Sequence, residues 1–217
     1  MKLLVACEYS GVVRDAFSLK GWDAWSCDLL PTESELTKKE GKHIQGDVLS
    51  LLDQDWDLMI AHPPCTHLSV SGQHWFTRGL KDVRLREDAL DFVKRLLSAN
   101  IPHIALENPV SIISSHIRKP DQVMQPYQFG DDASKKTCLW LKDLPRLRPT
   151  NIIQPRIVDG KQRWGNQSDD GQVNTRDADG KIMGWSNPET AKIRSKTYSG
   201  IAQAMAEQWT KYLTKTP

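Results

Sequence analysis

Short apolar segments alternate with amphipathic segments along most of the chain, and this alternation constrains the fold more than any other feature. The apolar segments predict strands at 2–7, 23–28, 43–47, 56–61, 102–108 and 136–141. The spacing of apolar residues predicts helices at 12–21, 81–99 and 198–213. Strands that alternate with helices favour an α/β domain with a doubly wound, mostly parallel sheet that helices cover on both faces.

The composition is ordinary for a globular domain and argues against several classes of function. The chain has 217 residues, enough for one domain with a substantial core. Its net charge is only +2, which argues against a strongly basic nucleic-acid-binding surface but allows a local basic patch. No apolar run approaches the roughly 18 residues of a membrane span. The four cysteines show no C-x-x-C spacing, so we expect reduced thiols in a cytoplasmic protein.

The character of the sequence changes near residue 143. Residues 143–194 are rich in Gly, Asp, Asn, Arg and Pro and show little periodicity. We therefore expect a main domain formed by residues 1–142 and 195–217, with a small irregular insertion at 143–194. A role of the insertion in target recognition and a plain surface excursion are equally compatible with its length. Within the main domain, the polar residues 31–42 predict an exposed loop.

Polar residues follow the ends of successive predicted strands. They are Glu8 to Gly11, Asp28, Asp47, His62 to Cys65, and Glu107 with Asn108. In a doubly wound sheet, ligands bind beyond the carboxyl ends of the strands. Nearly every chemically suggestive residue is thus predicted at one rim of the sheet, where we place the candidate site.

The N-terminal strand, turn and helix can hold an adenosine ligand. The phosphate-binding pattern G-x-G-x-x-G is absent, because Gly11 is the only glycine in this turn, and there is no P-loop lysine. These absences favour a ligand without phosphates. Asp28 suits the two hydroxyls of a ribose, and Asp47 suits an adenine amino group. Each acid alone is more often a helix cap or a solvated loop residue, but the turn and the two acids in sequence order favour S-adenosylmethionine.

Cys65 follows two prolines directly after a buried strand. A zinc site is disfavoured, because the order H-x-x-C-x-H matches no tetrahedral spacing, and we predict no metal. The neighbouring histidines, His62, His67 and His74, are interpreted as bystanders or as residues on the phosphate side of the site. A thiol in such a rigid turn can be a nucleophile or a simple filler. The nucleophile is favoured by Glu107, which a right-handed crossover would place on the neighbouring strand, about 4.8 Å away.

At these residues the sequence resembles the cytosine-C5 DNA methyltransferase family. The "PPC" that ends at Cys65 resembles the catalytic proline-cysteine motif of that family, and "LENP" at 106–109 resembles its glutamate-asparagine motif. The turn "CEYSGVVRDAF" is similar to the donor-binding turn. "YQFGDDASKKTCLWL" and "YSGIAQAMAEQW" resemble the last two motifs. The resemblance covers residues 1–142 and 195–213, and the chain resembles the compact members of the family that bacterial viruses carry.

The sequence departs from the family pattern in four respects. The donor-binding turn lacks paired glycines, and Pro109 stands where valine is commoner. Lys135 and Lys136 stand where the family has glutamine and arginines, so the base-contacting role of these positions is open. Only residues 143–194 are available in place of a full target-recognition domain.

The resemblance implies an enzyme, a DNA (cytosine-5-)-methyltransferase that uses S-adenosyl-L-methionine. Cys65 would attack C6 of a cytosine flipped out of the DNA, Glu107 would engage N3, and Asn108 would hold the cysteine loop. The implied cofactor-binding residues are Glu8, Tyr9, Ser10, Gly11, Asp28, Leu29, Asp47, Pro63 and Ser199. The implied nucleic-acid-binding residues are Ser69, Ser71, Arg78, Lys81, Lys135, Lys136, Arg163 and Arg176.

Three alternatives remain open at this point. The same thiol chemistry would serve a pyrimidine methyltransferase that acts on RNA or on a free nucleotide. A methyltransferase-like protein could also bind nucleic acid, a nucleotide or the donor without catalysis, although such a protein has no need of both Cys65 and Glu107. An amino-group methyltransferase is disfavoured, because an aromatic residue would be expected at the position of Cys65. The sequence predicts no oligomeric state.

Overall fold

The computed structural model describes residues 1–177, 179–184 and 187–215. The last two residues of the predicted main domain, and positions 178, 185 and 186 of the insertion, lie outside the described residues. The strands are β1 Lys2–Ala6, β2 Asp23–Asp28, β3 His43–Gln45, β4 Leu58–Ala61, β5 His103–Pro109, β6 Gln122–Met124, β7 Thr137–Lys142, β8 Arg156–Val158, β9 Lys161–Arg163, β10 Thr175–Arg176 and β11 Ile182–Met183. The helices are α1 Val12–Ser18, α2 Glu35–Glu40, α3 Gln73–Thr77, α4 Val83–Leu97, α5 Ile113–His116, α6 Pro188–Ser195 and α7 Ser199–Leu213. No helix among the described residues is both long and apolar enough to cross a membrane.

The centre of the molecule is a seven-stranded sheet with the order β3-β2-β1-β4-β5-β7-β6. The first five strands in this order are parallel, whereas β7 runs antiparallel to both β5 and β6. The chain starts at β1, builds outwards to β3 and then crosses back to β4, so the strand order reverses between β1 and β4. This is the doubly wound, mostly parallel sheet of the methyltransferase (Rossmann-like) type, and it confirms the predicted fold class.

Helices cover both faces of the sheet because alternate side chains of each strand point to opposite faces. On one face, Leu3 and Val5 of β1 belong to a buried cluster with Phe17 of α1 and with Met205 and Trp209 of α7. On the other face, the remaining strand residues pack with α4, whose buried side chains are Leu90, Val93 and Leu96. The two clusters leave the carboxyl ends of the parallel strands uncovered by core packing, and this rim carries the candidate site.

The prediction of an exposed loop over residues 31–42 is wrong, because this segment contains α2. Ser34 caps the helix, with its hydroxyl oxygen accepting a hydrogen bond from the Thr37 amide at 3.0 Å. Gly41 ends the helix in a left-handed conformation with φ 66°. The helix is polar on its outer face, so apolar periodicity could not reveal it. It is held to α1 by the Thr37 hydroxyl, which donates to Asp15 at 2.8 Å, and by an ion pair between Arg14 and Glu40.

The insertion at 143–194 contains little regular structure, as its composition indicates. It forms two short antiparallel hairpins, β8–β9 and β10–β11, followed by α6. The rings of Tyr127 and Trp164 stack with centroids 4.3 Å apart and fix the first hairpin to the segment before β7. The Ser134 amide also donates to the Asn166 side chain at 2.9 Å. The insertion is therefore anchored beside the segment that leads into β7, which contains Lys135 and Lys136.

The beginning of α7 packs directly on the chain near residue 129. A Cβ atom on Gly200 would lie 1.9 Å from the carbonyl oxygen of Phe129. We expect Gly200→Ala to lower the free energy of unfolding by about 3 kcal/mol, because the backbone of residue 129 would have to move. Urea denaturation measures this loss. The control Gly46→Ala, whose Cβ would meet no atom within 4 Å, should change the value by less than about 1 kcal/mol. Equal losses in both variants would mean that α7 does not approach Phe129 this closely.

Candidate active site

The cysteine loop, residues 62–69, begins at the carboxyl end of β4. The His62 amide donates to the Ala6 carbonyl at 2.9 Å and so extends the pairing between β4 and β1. Downstream, the Leu68 and Ser69 amides donate to the Cys65 carbonyl at 3.1 and 2.9 Å and close a turn. The backbone of Cys65 is thus fixed on both sides, as expected for a residue in a proline-stiffened turn.

Asn108 of β5 holds the cysteine loop from the neighbouring strand. Its side-chain amide is 1% exposed and donates from Nδ2 to the Pro63 carbonyl at 2.9 Å. The parallel pairing of β4 with β5 confirms that the two strands are neighbours. Asn108 and Glu107 point to opposite sides of β5, so one strand end supplies both a support for the loop and a carboxyl group.

We expect Asn108→Ala to loosen the cysteine loop. The buried Pro63 carbonyl would lose its partner, which costs about 1–3 kcal/mol in the free energy of unfolding. Displacement of Cys65 by about 1 Å would slow chemistry at the thiol by roughly 10²-fold. Thermal unfolding and the rate of alkylation of Cys65 by iodoacetamide measure the two effects. Asn100→Ala, at an exposed position after α4, is the control and should change neither. An unchanged alkylation rate in Asn108→Ala would contradict the positioning role.

Glu107 of β5 contacts His62 across the strand ends. The two side chains are 14% and 8% exposed, and His62 Nδ1 lies 3.1 Å from Glu107 Oε2. Burial disfavours the charged form of Glu107, but the hydrogen bond and the charge of His62, together with Lys135, lower its pKa below the usual value. His62, which the sequence indicates as a bystander or a phosphate-side residue, thus lies beside the buried carboxyl group of Glu107. Among the described residues, no group of three or more His, Cys, Asp or Glu could hold a metal ion.

Cys65 lies within electrostatic reach of the same carboxyl group. Its side chain reaches solvent, but the surrounding protein shields it and raises the pKa of the thiol. The positive charges of Lys135 and Arg194 oppose this increase, and the negative charge of Glu107 adds to it. The structure thus brings the predicted pair Cys65 and Glu107 together. It also adds cations, which favour the nucleophilic thiolate over the thiol.

The turn after β1 uses its acid to support α1. The buried carboxylate of Glu8 accepts hydrogen bonds from the Val13 and Arg14 amides at 2.7 and 3.1 Å. Ser10 also donates to this carboxylate, at 3.3 Å. Burial raises the pKa of Glu8, and the charge of His62 and the two amides oppose the increase. The side chains of Glu8 and Ser10 therefore stabilise the turn through hydrogen bonds within the protein, although both are predicted cofactor-binding residues.

Gly11 completes this turn in a left-handed conformation. Its φ is 76°, and a Cβ atom there would lie 2.4 Å from Cβ of Ser34. Only glycine fits both the conformation and the approach of the α2 N-terminus. Because the turn carries one glycine and a carboxylate, it offers no row of amide groups for a phosphate.

Asp28 and Asp47 lie at the ends of β2 and β3 and flank the same rim. Each uses Oδ1 to accept from a backbone amide two residues ahead, at 2.9 Å from Leu30 and 3.0 Å from Leu49. Neither Oδ2 makes a hydrogen bond within the part of the chain that the structure describes. Burial raises the pKa of the Cys7 thiol to about 12, and both carboxylates add to the increase, so Cys7 lies close to the two acids.

The arrangement at this rim fits an adenosine ligand without phosphates. Two carboxylate oxygens are free to accept from hydroxyl or amino groups, and Leu29, directly after Asp28, is 73% exposed. An exposed apolar side chain beside these acids offers a surface for a purine ring. The structure thus brings Asp28, Leu29 and Asp47 together as predicted.

The remaining predicted cofactor residues are engaged by the protein itself. The Tyr9 hydroxyl donates to the Lys192 carbonyl at 2.7 Å and lies 3.0 Å from the Ser195 hydroxyl, both in α6. Ser199 donates to Asp131 at 3.2 Å. The Pro63 carbonyl accepts from Asn108. These residues shape the rim, and their polar groups bind neighbouring elements.

A cleft of about 580 Å³, here called the basic cleft, lies between the segment before β7, the second hairpin and the start of α7. Its cationic lining residues are Lys135, Lys136, Arg176, Arg194 and Lys196. No Asp or Glu lines it among the described residues. Lys135 Nζ donates to the Arg194 carbonyl at 2.9 Å, and both residues act on the Cys65 thiol. The basic cleft therefore adjoins the cysteine.

Arg194 and Lys196 are functional candidates that the sequence analysis missed. They lie in "KIRSK", residues 192–196, where three cations fall within five residues. Such a short basic run is common on solvated helices, so it gave no reason to connect these residues with Lys135, some sixty positions earlier. Only the packing of α6 against the approach to β7 joins them.

The other predicted nucleic-acid-binding residues lie outside the basic cleft. Ser69 and Ser71 lie in the exposed segment after Cys65, with their hydroxyls 3.2 Å apart. Arg78 ends α3, and Lys81 Nζ lies 5.8 Å above the ring of Phe76. Arg163 donates to the Asp169 carbonyl at 3.0 Å within the insertion. Of the eight predicted residues, the cleft unites Lys135, Lys136 and Arg176.

Comparison with known proteins adds little to this geometry. Neither a protein-family model nor a curated protein sequence matches the chain. Among solved structures, the chain is similar to a protein described as a "putative DNA modification methyltransferase encoded within prophage" of E. coli. The identity is 13%, the TM-score is 0.44, and the match covers 96% of this chain and 69% of that chain. Similarity at this level establishes no relationship, so the fold assignment rests on the strand order.

Proposed function

We propose that the protein is an S-adenosylmethionine-dependent methyltransferase that acts on C5 of cytosine in DNA through a covalent adduct with Cys65. One observation carries the proposal. A thiol and a buried carboxyl group stand at the ends of the neighbouring parallel strands β4 and β5. Beside them lies a rim suited to adenosine, and the basic cleft adjoins them. This combination of groups meets the needs of pyrimidine C5 methylation.

C5 of cytosine is a poor nucleophile until a group adds at C6. In the proposed reaction the Cys65 thiolate forms a bond to C6, and the electrons of the C5–C6 double bond shift into the ring. Glu107 hydrogen-bonds N3 and stabilises the charge that develops there. C5 then reacts as an enamine carbon. After transfer, loss of the C5 proton returns the electron pair to the C5–C6 bond and expels the Cys65 thiolate.

S-adenosylmethionine would supply an electron-poor methyl group bonded to a sulfonium. The free carboxylate oxygens of Asp28 and Asp47 would hold the ribose hydroxyls and the adenine amino group, and Leu29 would lie against the purine ring. These residues fit a donor without phosphates. A dinucleotide is disfavoured by the turn after β1, which has one glycine and the buried Glu8 carboxylate and so offers no row of amide groups for a pyrophosphate.

The basic cleft supports a nucleic acid as the substrate. The cationic groups of Lys135, Lys136 and Arg176 line the basic cleft, where they can contact backbone phosphates. Lys196 also lines it and is ion-paired with Glu33 at 2.6 Å. A cytosine inside a duplex cannot reach a thiol in a cleft, so the base would be flipped out of the stack. RNA or a free pyrimidine nucleotide is the second candidate, favoured by the small insertion, whose short hairpins offer little surface for reading a duplex sequence.

Labelled S-adenosylmethionine tests this proposal directly. The protein is incubated with the labelled donor and, in parallel, with unmethylated duplex DNA, single-stranded RNA and dCMP, and the nucleosides are then analysed by mass spectrometry. We expect the label in 5-methylcytosine from DNA. Label in 5-methylcytosine from RNA or dCMP alone would select the second candidate. Label on an exocyclic amino group, or no label on any of the three, would overturn the proposal.

A further inference from the structure

We propose that His62 is a positioning residue that fixes the orientation of Glu107 during the reaction at Cys65. The inference rests on the cytosine chemistry proposed above. It concerns a residue of the cysteine loop that takes no part in holding the thiol. The inference is based on the position of the buried His62 imidazole, which lies between the ends of β1 and β5.

The position of His62 is determined by its backbone and by contacts on two sides. Its amide is bound to Ala6 of β1 at 2.9 Å, so the residue continues the sheet. Its ring is 8% exposed, with Nδ1 at 3.1 Å from Glu107 Oε2 and at 3.5 Å from the Thr197 hydroxyl. A carboxyl group held by one fixed nitrogen keeps a single orientation, and its other oxygen is left to face a bound base.

The charged groups around His62 come from three elements. Glu107 faces it from β5, Glu8 acts on it from the turn after β1, and Lys135 on the approach to β7 acts on Glu107 from the other side. Both carboxyl groups are buried, and the charge of His62 favours the ionised form of each. His62 is therefore the group through which the donor-side turn and the catalytic carboxyl group influence each other.

The contact determines which oxygen of Glu107 serves the base. With Oε2 held 3.1 Å from His62 Nδ1, Oε1 is the oxygen left to face N3. A proton that Oε1 takes up from water passes to N3 as Cys65 bonds to C6. N3 gains one proton, Glu107 returns to the carboxylate, and His62 keeps its own protons. The same transfer runs backwards when Cys65 leaves the base.

The buried Nε2 atom of His62 has a further significance. It makes no hydrogen bond within the described part of the chain, although it is inaccessible to bulk water. An unpaired buried ring nitrogen costs free energy, and a purely structural position would favour an apolar residue here. The contact between Nδ1 and Glu107 gives this buried imidazole a role that an apolar residue could not fill.

Two substitutions separate positioning from a merely structural role. His62→Asn keeps a donor near the place of Nδ1, and His62→Ala removes the donor. The measurement is the single-turnover rate of adduct formation on DNA that contains 5-fluorocytosine, followed as a function of pH. His103→Asn is the control, because this histidine bonds only a backbone carbonyl, that of Asp143, far along the chain.

We expect His62→Ala to slow adduct formation by about 10²-fold and His62→Asn to recover about tenfold of that loss. The rate should rise with pH as the Cys65 thiol ionises, in the wild type and in both variants alike. Equal rates in His62→Asn and His62→Ala, or a wild-type rate in His62→Ala, would overturn the inference alone. Failure of the wild-type protein to form any adduct would overturn the proposed function and this inference with it.

Discussion

Replacement of Cys65 with alanine is expected to abolish methyl transfer, with a loss of at least roughly 10⁴-fold in the rate. The variant should still bind the donor and DNA, because the Cys65 side chain makes no hydrogen bond that holds another element within the described part of the chain. Without the sulfur, C6 has no nucleophile and C5 stays unreactive. Transfer of a labelled methyl group to DNA measures the rate, and calorimetric titration with S-adenosylmethionine measures donor binding.

Cys138→Ala is the matched control for this loss. Cys138 lies on β7, is 2% exposed and pairs in register with Asn108, so it is close to the site but buried away from substrate. Its burial, rather than its pKa, keeps the sulfur out of reach of a bound base, so it is not a competing nucleophile. This variant should lose some stability and keep most of its activity. Equal loss in the two variants, or appreciable activity in Cys65→Ala, would show that the Cys65 thiol is not the nucleophile.

Replacement of Glu107 with glutamine should have the second largest effect, a loss of about 10²- to 10⁴-fold in the rate of methyl transfer. Glutamine has the same shape and can still hydrogen-bond His62. It cannot exchange a proton with N3, and it removes the negative charge that balances His62 and Lys135. Single-turnover transfer to DNA measures the effect.

The pH dependence of stability gives an independent check on Glu107. Its pKa is lowered in the folded protein, so its ionisation stabilises the fold above the pKa of an unfolded glutamate. This contribution is lost as the pH falls through the lowered folded-state pKa. Glu107→Gln should therefore flatten the acidic side of the curve of unfolding free energy against pH. Glu207→Gln, on the exposed face of α7, should leave that curve and the activity unchanged. A fully active Glu107→Gln would contradict the role of the carboxyl group.

The sequence was informative wherever one physical pattern dominated. Buried strands read as apolar runs, and the handedness of the β4–α4–β5 crossover sufficed to predict that Cys65 and Glu107 lie at neighbouring strand ends. The prediction that polar residues share one rim used a second rule, that ligands bind beyond the carboxyl ends of parallel strands. By contrast, α2 was missed because its stability comes from the Ser34 cap and from contacts with α1, not from an apolar stripe.

The rest of the site depends on contacts between distant segments. The partner of His62 is 45 residues away, and nothing in the local sequence distinguishes this histidine from His67 or His74. Arg194 and Lys196 join Lys135 only through the folded insertion and α6. The role of Glu8 is similar, because an acid after a strand suits a ligand as well as a helix N-terminus. The structure shows that its carboxylate binds the amides of α1.

Detection of a covalent bond between Cys65 and a cytosine is the most direct test of the proposed reaction. Fluorine at C5 cannot leave as a proton does, so methyl transfer to 5-fluorocytosine should leave the base attached to the enzyme. The protein is incubated with S-adenosylmethionine and duplex DNA containing 5-fluorocytosine, denatured, digested and analysed by mass spectrometry. We predict a modified base on the peptide that contains Cys65, dependent on the donor and absent from Cys65→Ala. A methylated product without such an adduct, or an adduct on another residue, would contradict the account.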